Sequence, residues 1–272
     1  MKIGFIGAGK MARALAAGLV HGGIVPATAL LCSSRSAASG QSFLDLFPSS
    51  QARWMPDNVQ LVHASNLIVL ALKPQQFPEA LPILHAASEG KLFLSLAAGL
   101  TVEKIAGWLH PTARIIRAMP NTPMQIGAGA SVFAGAPVVR DEDYALVERV
   151  LSASGKAWRV DEAQIDAVTA LSGSGPAYVF HFIDALLQGG LALGLPEELA
   201  RALALQTVLG SAQLAAQSSL TPLELAAQVK SPRGTTLAGC AILEENGALN
   251  HLIARCMAAA KNRALALARG EA

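Results

Sequence analysis

Three glycine-containing segments of this 272-residue chain combine residue types that bind anions. They are Gly7-Ala8-Gly9-Lys10-Met11-Ala12, Ser172-Gly173-Ser174-Gly175-Pro176 and Ser231-Pro232-Arg233-Gly234-Thr235-Thr236. Each precedes a helical pattern, and helix N-termini carry unpaired N–H groups and a partial positive charge. The second segment is expected to be an exposed loop with Pro176 at the first helical position. For the second and third segments, ordinary helix capping by Ser and Thr is the alternative.

The first segment predicts a dinucleotide site, because it follows an apolar strand at residues 3–6. In such a turn the first glycine permits the bend and the second lets the backbone approach a pyrophosphate. The third position, here Ala12, needs only a small residue. A generic strand-to-helix turn is the alternative interpretation.

The end of the second strand indicates which dinucleotide is bound. Proteins that bind NAD usually carry an acid there, whereas this chain has Cys32-Ser33-Ser34-Arg35 and no acid until Asp45. Arg35 can pair with a 2′-phosphate and the two serines can donate hydrogen bonds to it. We therefore expect NADPH, with NADH as the less favoured cofactor. Otherwise Arg35 is a solvated loop residue.

Composition narrows the class of protein. A formal net charge of +2 predicts neither a nucleic-acid partner nor a membrane surface. Cys32, Cys240 and Cys256 are few and widely spaced, so we expect no disulfide framework and no metal site. No signal-peptide pattern is visible at the start, which favours a cytoplasmic location.

The order of apolar runs predicts two domains. Strands are expected at residues 3–6, 29–32, 67–72, 92–96 and 114–119, with edge strands near 132–134 and 157–160. Continuous apolar runs of this length favour a doubly wound parallel sheet covered on both faces. Helical patterns follow at 177–193, 196–217, 222–229, 237–245 and 249–268. We place an α/β domain at residues 1–160 and an all-α domain at residues 161–272.

Small or polar residues follow three of the strands, at the sheet edge where ligands bind in such folds. They are Ala71-Leu72-Lys73-Pro74, Ala97-Ala98-Gly99 and Met119-Pro120-Asn121. Lys73 either faces the cofactor or caps its own loop. The second group offers the flat, close surface that a nicotinamide ring needs, and the prolines beside Asn121 indicate a rigid loop.

These motifs occur together and in order, and over its full length the chain resembles the pyrroline-5-carboxylate reductases, the last enzymes of proline biosynthesis. The segment SGSGPA at 172–177 is the most specific of them. The resemblance implies a Rossmann-type N-terminal domain and an all-α C-terminal dimerisation domain. It also implies a homodimer through the helical domains, with dimers often joined into a larger ring.

The resemblance also assigns roles to individual residues. It places Asn58 on the ribose side of the cofactor and Glu162 as an acidic position near it. It places Thr235 and Thr236 in the loop that holds the substrate, and we expect Thr236 to be the catalytic residue. The expected cofactor residues are Gly7, Ala8, Gly9, Lys10, Met11, Ser33, Ser34, Arg35, Asn58, Ala71, Leu72, Lys73, Pro74, Ala97, Ala98, Gly99, Met119, Pro120, Asn121 and Glu162. The expected substrate residues are Ser172, Gly173, Ser174, Gly175, Ser231, Gly234, Thr235 and Thr236.

The third segment departs from the family pattern at one position. The family usually has Ser-Pro-Gly-Gly before the threonines, and Arg233 replaces the first glycine here. If that position requires a positive φ, arginine carries a steric penalty of roughly 1–2 kcal/mol. Alternatively, Arg233 adds positive charge near the substrate carboxylate. Gln228 also stands where some relatives carry Asn.

The proposed reaction accounts for an absence in the sequence. No Ser-His-Asp set or pair of carboxylates is apparent, and hydride transfer to a protonated cyclic imine needs mainly positioning and electrostatics. Thr236 would bond the ring nitrogen, and the backbone of 234–236 would hold the carboxylate of 1-pyrroline-5-carboxylate. A β-hydroxyacid dehydrogenase would need a lysine in the second domain, but none lies between Glu162 and Gln228. A nucleotide sensor or a pyridoxal-phosphate module is the non-enzymatic alternative.

Overall fold

The computed structural model describes residues 1–48 and 52–269, and within them eight strands form one sheet. The strands are β1 (Ile3–Ile6), β2 (Leu30–Ser33), β3 (Arg53–Trp54), β4 (Leu67–Leu70), β5 (Leu92–Ser95), β6 (Arg114–Met119), β7 (Gly129–Gly135) and β8 (Gly155–Arg159). Their order is β3-β2-β1-β4-β5-β6-β7-β8, and β6–β7 is the antiparallel pair. The order from β3 to β6 is that of the dinucleotide-binding fold. The predicted doubly wound sheet is therefore confirmed.

Helices alternate with the strands up to β8, and after β8 the chain is helical. They are α1 (Lys10–His21), α2 (Ala37–Leu44), α3 (Asn58–Ala64), α4 (Phe77–Ala80), α5 (Val102–Ala106), α6 (Asp141–Ser152), α7 (Ile165–Val168), α8 (Gly175–Ala192), α9 (Glu197–Gln217), α10 (Pro222–Gln228), α11 (Thr235–Glu244) and α12 (Ala248–Arg269). On β4, Leu67 and Val69 belong to one apolar cluster while Ile68 and Leu70 belong to another. This alternation explains the continuous apolar run, because successive side chains enter opposite cores.

Three features of the sheet differ from the sequence expectation. The strand expected at an edge near 132–134, β7, instead lies between β6 and β8 and runs antiparallel to β6. The short strand β3 was not predicted, because it has two residues and both are exposed. A β-carbon on Gly40 would lie 2.6 Å from the Trp54 ring, so Trp54 packs closely against α2. The strand expected at 67–72 ends at Leu70, which leaves Ala71 and Leu72 in the loop that follows.

The chain divides into two compact units, one comprising residues 1–174 with the end of α12 from residue 260 and the other Gly175–Ala259. The domain boundary expected after residue 160 stays a prediction, and the last residues of that domain, 270–272, lie outside the described residues. Within Gly175–Ala259 the structure has the helices that the sequence predicts, and α8 packs against α9. No helix in the described part of the chain is long and apolar enough to cross a membrane.

The helical unit buries very little apolar surface of its own. Its buried side chains are Ala200 and Ala204, both on α9. Many large apolar side chains on α8 to α12 are exposed in the single chain, among them Val179, Phe180, Phe182, Leu186, Leu199, Leu203, Leu205, Leu209, Leu214, Ile242, Leu249 and Leu252. An exposed apolar surface of this extent is typical of a protein interface.

Candidate active site

Gly7 allows the ends of three strands to meet. Its φ is +102°, and a β-carbon there would lie 2.6 Å from the carbonyl oxygen of Ala71, which follows β4. Its N–H donates to the carbonyl of Ser33 at the end of β2, at 3.0 Å. Any larger residue would therefore push the first turn away from the sheet, as expected for the first glycine of a dinucleotide site.

The N-terminus of α1 has the features that a phosphate requires. Gly9 is the N-cap, no side chain caps the helix, and its first turn carries no acid. A β-carbon on Gly9 would meet no other atom within 4 Å, so the backbone at Gly9 is not covered by a neighbouring side chain in that direction. The unpaired N–H groups and the helix dipole both favour an anion at this position.

A cavity of about 200 Å³ lies beside Gly7, where the sheet order reverses between β1 and β4. Six of its lining residues were expected from the sequence: Gly7, Ser33, Ser34, Arg35, Asn58 and Leu72. Six others were not: Ile6, Pro56, Gln76, Glu79, Ala80 and Ile83. Ile83 is 62% exposed, and its place beside this cavity depends on packing that no local sequence pattern shows. Together the lining residues fit a dinucleotide with a charged adenosine end.

Hydrogen bonds within the protein already engage two serines of this cavity. The buried Ser33 hydroxyl donates to Asn58 Oδ1 at 2.5 Å, and the Ser34 hydroxyl donates to the carbonyl of Ser36 at 2.8 Å. The Arg35 side chain is exposed and lines the same cavity. Arg35 is therefore the lining residue best placed to meet added negative charge with N–H donors.

The expected nicotinamide surface has a constrained backbone. Ala97 is buried, and Gly99 has a φ of +73°, which disfavours any side chain there. Three residues later, the N–H of Val102 at the start of α5 donates to Glu162 Oε1 at 2.7 Å. Glu162 thus holds the end of this segment, and its contact with the cofactor stays a prediction.

A buried arginine that no sequence motif singles out also contacts Glu162. Arg117 on β6 is 2% exposed, and its guanidinium contacts Asp166 at 2.9 Å and Glu162 at 3.5 Å. Its Nε has no hydrogen-bond partner among the described residues. The sequence does carry a signal for this cluster. It is an arginine inside an apolar strand, followed later in the chain by two acids four residues apart.

The second glycine-containing segment is helical, so the expectation of an exposed loop is wrong. Residues Thr169–Gly173 form a π-helical turn between α7 and α8, and the N–H of Ser174 donates to the carbonyl of Thr169 at 2.8 Å. Pro176 is the second residue of α8, one position after the expected first helical position. Single π-turns are frequent at functional sites.

Asn121 stabilises this π-turn. Proline has no N–H, so Pro176 cannot serve as the helical i+4 donor to the carbonyl of Ser172. Asn121 Nδ2 donates to that carbonyl at 3.0 Å, while Asn121 Oδ1 accepts from the N–H of Ala130 at 2.9 Å. A β-carbon on Gly173 would collide with the side chain of Met119. Met119 and Asn121, expected near the cofactor, therefore position the 172–174 segment.

The third segment lies in the helical unit. The N–H of Gly234 donates to the carbonyl of Ser231 at 2.9 Å, closing a turn, and Thr235 and Thr236 begin α11 behind it. Arg233 has a φ of +59°, the left-handed conformation in which an arginine carries a steric penalty. Thr236 is half-buried and Thr235 is exposed.

The buried Cys32 is not poised to react, and the described residues hold no cluster of metal-ligating side chains. Burial raises the pKa of the Cys32 thiol to about 12, which keeps it protonated. No group of three or more His, Cys, Asp or Glu side chains there is close enough to hold a metal ion.

The sheet order, the Gly7 turn and the uncapped N-terminus of α1 define a dinucleotide-binding domain of the Rossmann type. Residues 162–267 match the family model described as pyrroline-5-carboxylate reductase dimerisation, and residues 2–99 match the model described as NADP oxidoreductase, coenzyme F420-dependent. The chain belongs to the pyrroline-5-carboxylate reductase family.

Individual relatives span nearly the whole chain. The pyrroline-5-carboxylate reductase of Pisum sativum is 40% identical, covering 95% of this chain and 93% of that protein. That of Pseudomonas aeruginosa is 38% identical, covering 98% and 97%. A solved structure from Coxiella burnetii has a TM-score of 0.89 at 36% identity, covering 97% of each chain. One from Plasmodium falciparum, solved with NADP bound, has a TM-score of 0.87 at 29% identity and covers 98% of each.

Proposed function

We propose that this chain reduces 1-pyrroline-5-carboxylate to L-proline with NADPH, the final step of proline biosynthesis. The observation that carries the proposal is the cavity at the β1–β4 reversal, lined by Gly7 and Arg35, in a member of this reductase family. NADH serves as the weaker cofactor. The relative from Plasmodium falciparum with NADP bound supports the same cofactor class.

The residues of the chain bind and orient the cofactor and the substrate, and NADPH, when bound, supplies the hydride. The N–H groups at the start of α1 hold the pyrophosphate, and the segment Ala97-Ala98-Gly99 provides a flat surface for the nicotinamide. In the helical unit, N–H groups of Gly234, Thr235 and Thr236 hold the substrate carboxylate. The Thr236 hydroxyl bonds the ring nitrogen and fixes the orientation of the C=N bond.

A steady-state assay with two substrates tests this function. The wild-type protein is expected to oxidise NADPH when given 1-pyrroline-5-carboxylate and to leave NADP⁺ unreduced when given a 3-hydroxy acid. Thr236→Ala is expected to lower kcat by about 100-fold, the usual effect of removing one hydrogen bond made in the transition state. Thr236→Ser keeps the hydroxyl and should retain most activity. Cofactor binding without imine reduction would instead favour a nucleotide sensor.

The assembly and the setting belong to the same proposal. We propose a homodimer formed through the helical unit, with dimers joining into a larger ring, and the exposed apolar residues on α8 to α12 support it. A reducing, cytoplasmic setting is supported by three cysteines that are all free. Nucleic acid and membrane are not partners in this proposal, in keeping with a net charge of +2.

A further inference from the structure

The substrate turn holds an arginine where the backbone favours glycine. The N–H of Gly234 donates to the carbonyl of Ser231, so Pro232 and Arg233 are the two central residues of the turn. With a positive φ at the second of them, the turn is of type II, which prefers proline followed by glycine or asparagine. Among the described residues Asn246 is the other non-glycine with positive φ, and asparagine tolerates that conformation. Arg233 therefore maintains an unfavourable backbone conformation.

The two cations near this turn have different surroundings. Lys230 forms an ion pair with Glu244, and that hydrogen bond raises the pKa of the Lys230 ammonium. Arg233 is exposed, and it has no ion pair or side-chain hydrogen bond in the described part of the chain. Because Glu244 is already engaged by Lys230, the turn presents one uncompensated positive charge, one residue before Gly234.

We propose that Arg233 is a specificity-determining residue that binds the carboxylate of the cyclic imine and selects carboxylated over uncarboxylated rings. A guanidinium offers two parallel N–H donors in the geometry that a carboxylate accepts. A residue that breaks a local backbone rule without a structural partner is expected at a functional site. This inference rests on the proposed function, because it names the group of the substrate that the same turn selects.

The test separates the charge of Arg233 from its backbone strain. Arg233→Gly removes both, Arg233→Gln removes the charge and keeps the strain, and Arg233→Lys keeps the charge and the strain. Each variant is assayed with 1-pyrroline-5-carboxylate and with 1-pyrroline, which has the same C=N ring without the carboxylate. Arg149→Gln on α6 is the matched control for loss of an exposed arginine. The Tm of every variant, measured by thermal unfolding, reports the backbone strain at residue 233.

We expect Arg233→Gly and Arg233→Gln to lower kcat/KM for the carboxylated imine by at least about tenfold, the contribution of one charge-assisted hydrogen bond. Their kcat/KM for 1-pyrroline and their KM for NADPH should stay within about twofold of wild type. The kcat/KM of Arg233→Lys for the carboxylated imine should fall between the values of these variants and of the wild type. Added salt should weaken the preference of the wild-type protein for the carboxylated ring. Arg233→Gly alone should raise Tm.

Three results would count against parts of this account. If Arg233→Gly and Arg233→Gln leave the preference for the carboxylated ring unchanged, the inference is wrong while the reductase function stands. If Arg233→Gly loses the preference but Arg233→Gln retains it, backbone conformation rather than charge is responsible, and the inference is again wrong. If the wild-type protein reduces neither imine, the proposed function itself fails.

Discussion

Arg117 shows how a single buried charge can connect the sheet to the segment that follows it. Its guanidinium lies on β6 and is almost fully buried, whereas its partners Asp166 and Glu162 keep 19% and 34% of their side-chain surface exposed. The carboxylates can therefore be hydrated if the arginine is lost, but the arginine cannot be hydrated if a carboxylate is lost. Replacing an acid of this network should therefore lower the free energy of unfolding by a different amount than replacing the arginine.

Replacing the acid should cost more than replacing the arginine. Asp166→Ala leaves a buried guanidinium with Glu162 at 3.5 Å, and we expect it to lower the free energy of unfolding by roughly 3 kcal/mol. Arg117→Met keeps the packing volume and should lower it by about 1 kcal/mol. Urea unfolding of both variants measures the difference. Equal losses, or a larger loss for Arg117→Met, would show that the acids depend on the arginine instead.

Arg35 is expected to distinguish the two nicotinamide cofactors. The hydroxyl protons of Ser33 and Ser34 are used within the protein, so the guanidinium is the main N–H donor for a 2′-phosphate at this end of the cavity. Arg35→Ala should raise KM for NADPH by at least about tenfold and leave KM for NADH within about twofold. Arg149→Ala is the control. An equal effect on both cofactors would mean that Arg35 is only a solvated loop residue.

At the scale of elements, the strands of the sheet can be predicted from the sequence more directly than the segments at the edge of the sheet. Apolar runs such as the one on β4 predict strands because both faces of a parallel sheet are buried. The short strand β3 gave no such run, since its pairing depends on β2 and its tryptophan packs on α2. The sequence predicts a loop where the π-turn lies, because small residues and a proline are typical of loops. Asn121, which stabilises it, is 51 residues from Ser172 in the sequence.

Substitution of Asn121 tests whether the π-turn depends on this one side chain. Asn121→Ala removes the donor to the Ser172 carbonyl and the acceptor for the Ala130 N–H, both part-buried, and should lower the free energy of unfolding by about 2 kcal/mol. Asn121→Asp keeps an acceptor for Ala130 and removes the donor to Ser172. If the turn positions the site, both variants should reduce kcat, which the NADPH-oxidation assay measures. Full activity in Asn121→Asp would show that the Ser172 contact is dispensable.

At the scale of the whole molecule, the two units differ in how they can be stable. The sheet unit has large apolar clusters on both faces. The helical unit of Gly175–Ala259 buries two alanines, while many of its leucines and both of its phenylalanines remain exposed in the single chain. A unit of this size with so small a core is not expected to be stable alone. A second copy of the chain is the partner that the family model for dimerisation implies.

Dimerisation should therefore contribute to stability, so Tm of the wild-type protein should rise with protein concentration. Leu205 and Leu209 lie one turn apart on α9 and are both about half exposed. The double substitution Leu205→Arg with Leu209→Arg should raise the dimer dissociation constant by at least about 100-fold, as expected when central apolar contacts are lost. Sedimentation equilibrium measures this. Ile126→Arg, at an exposed apolar position of the sheet unit, should leave it unchanged. A wild-type Tm independent of concentration, with a monomer at every concentration, would mean that the helical unit is stable without a partner.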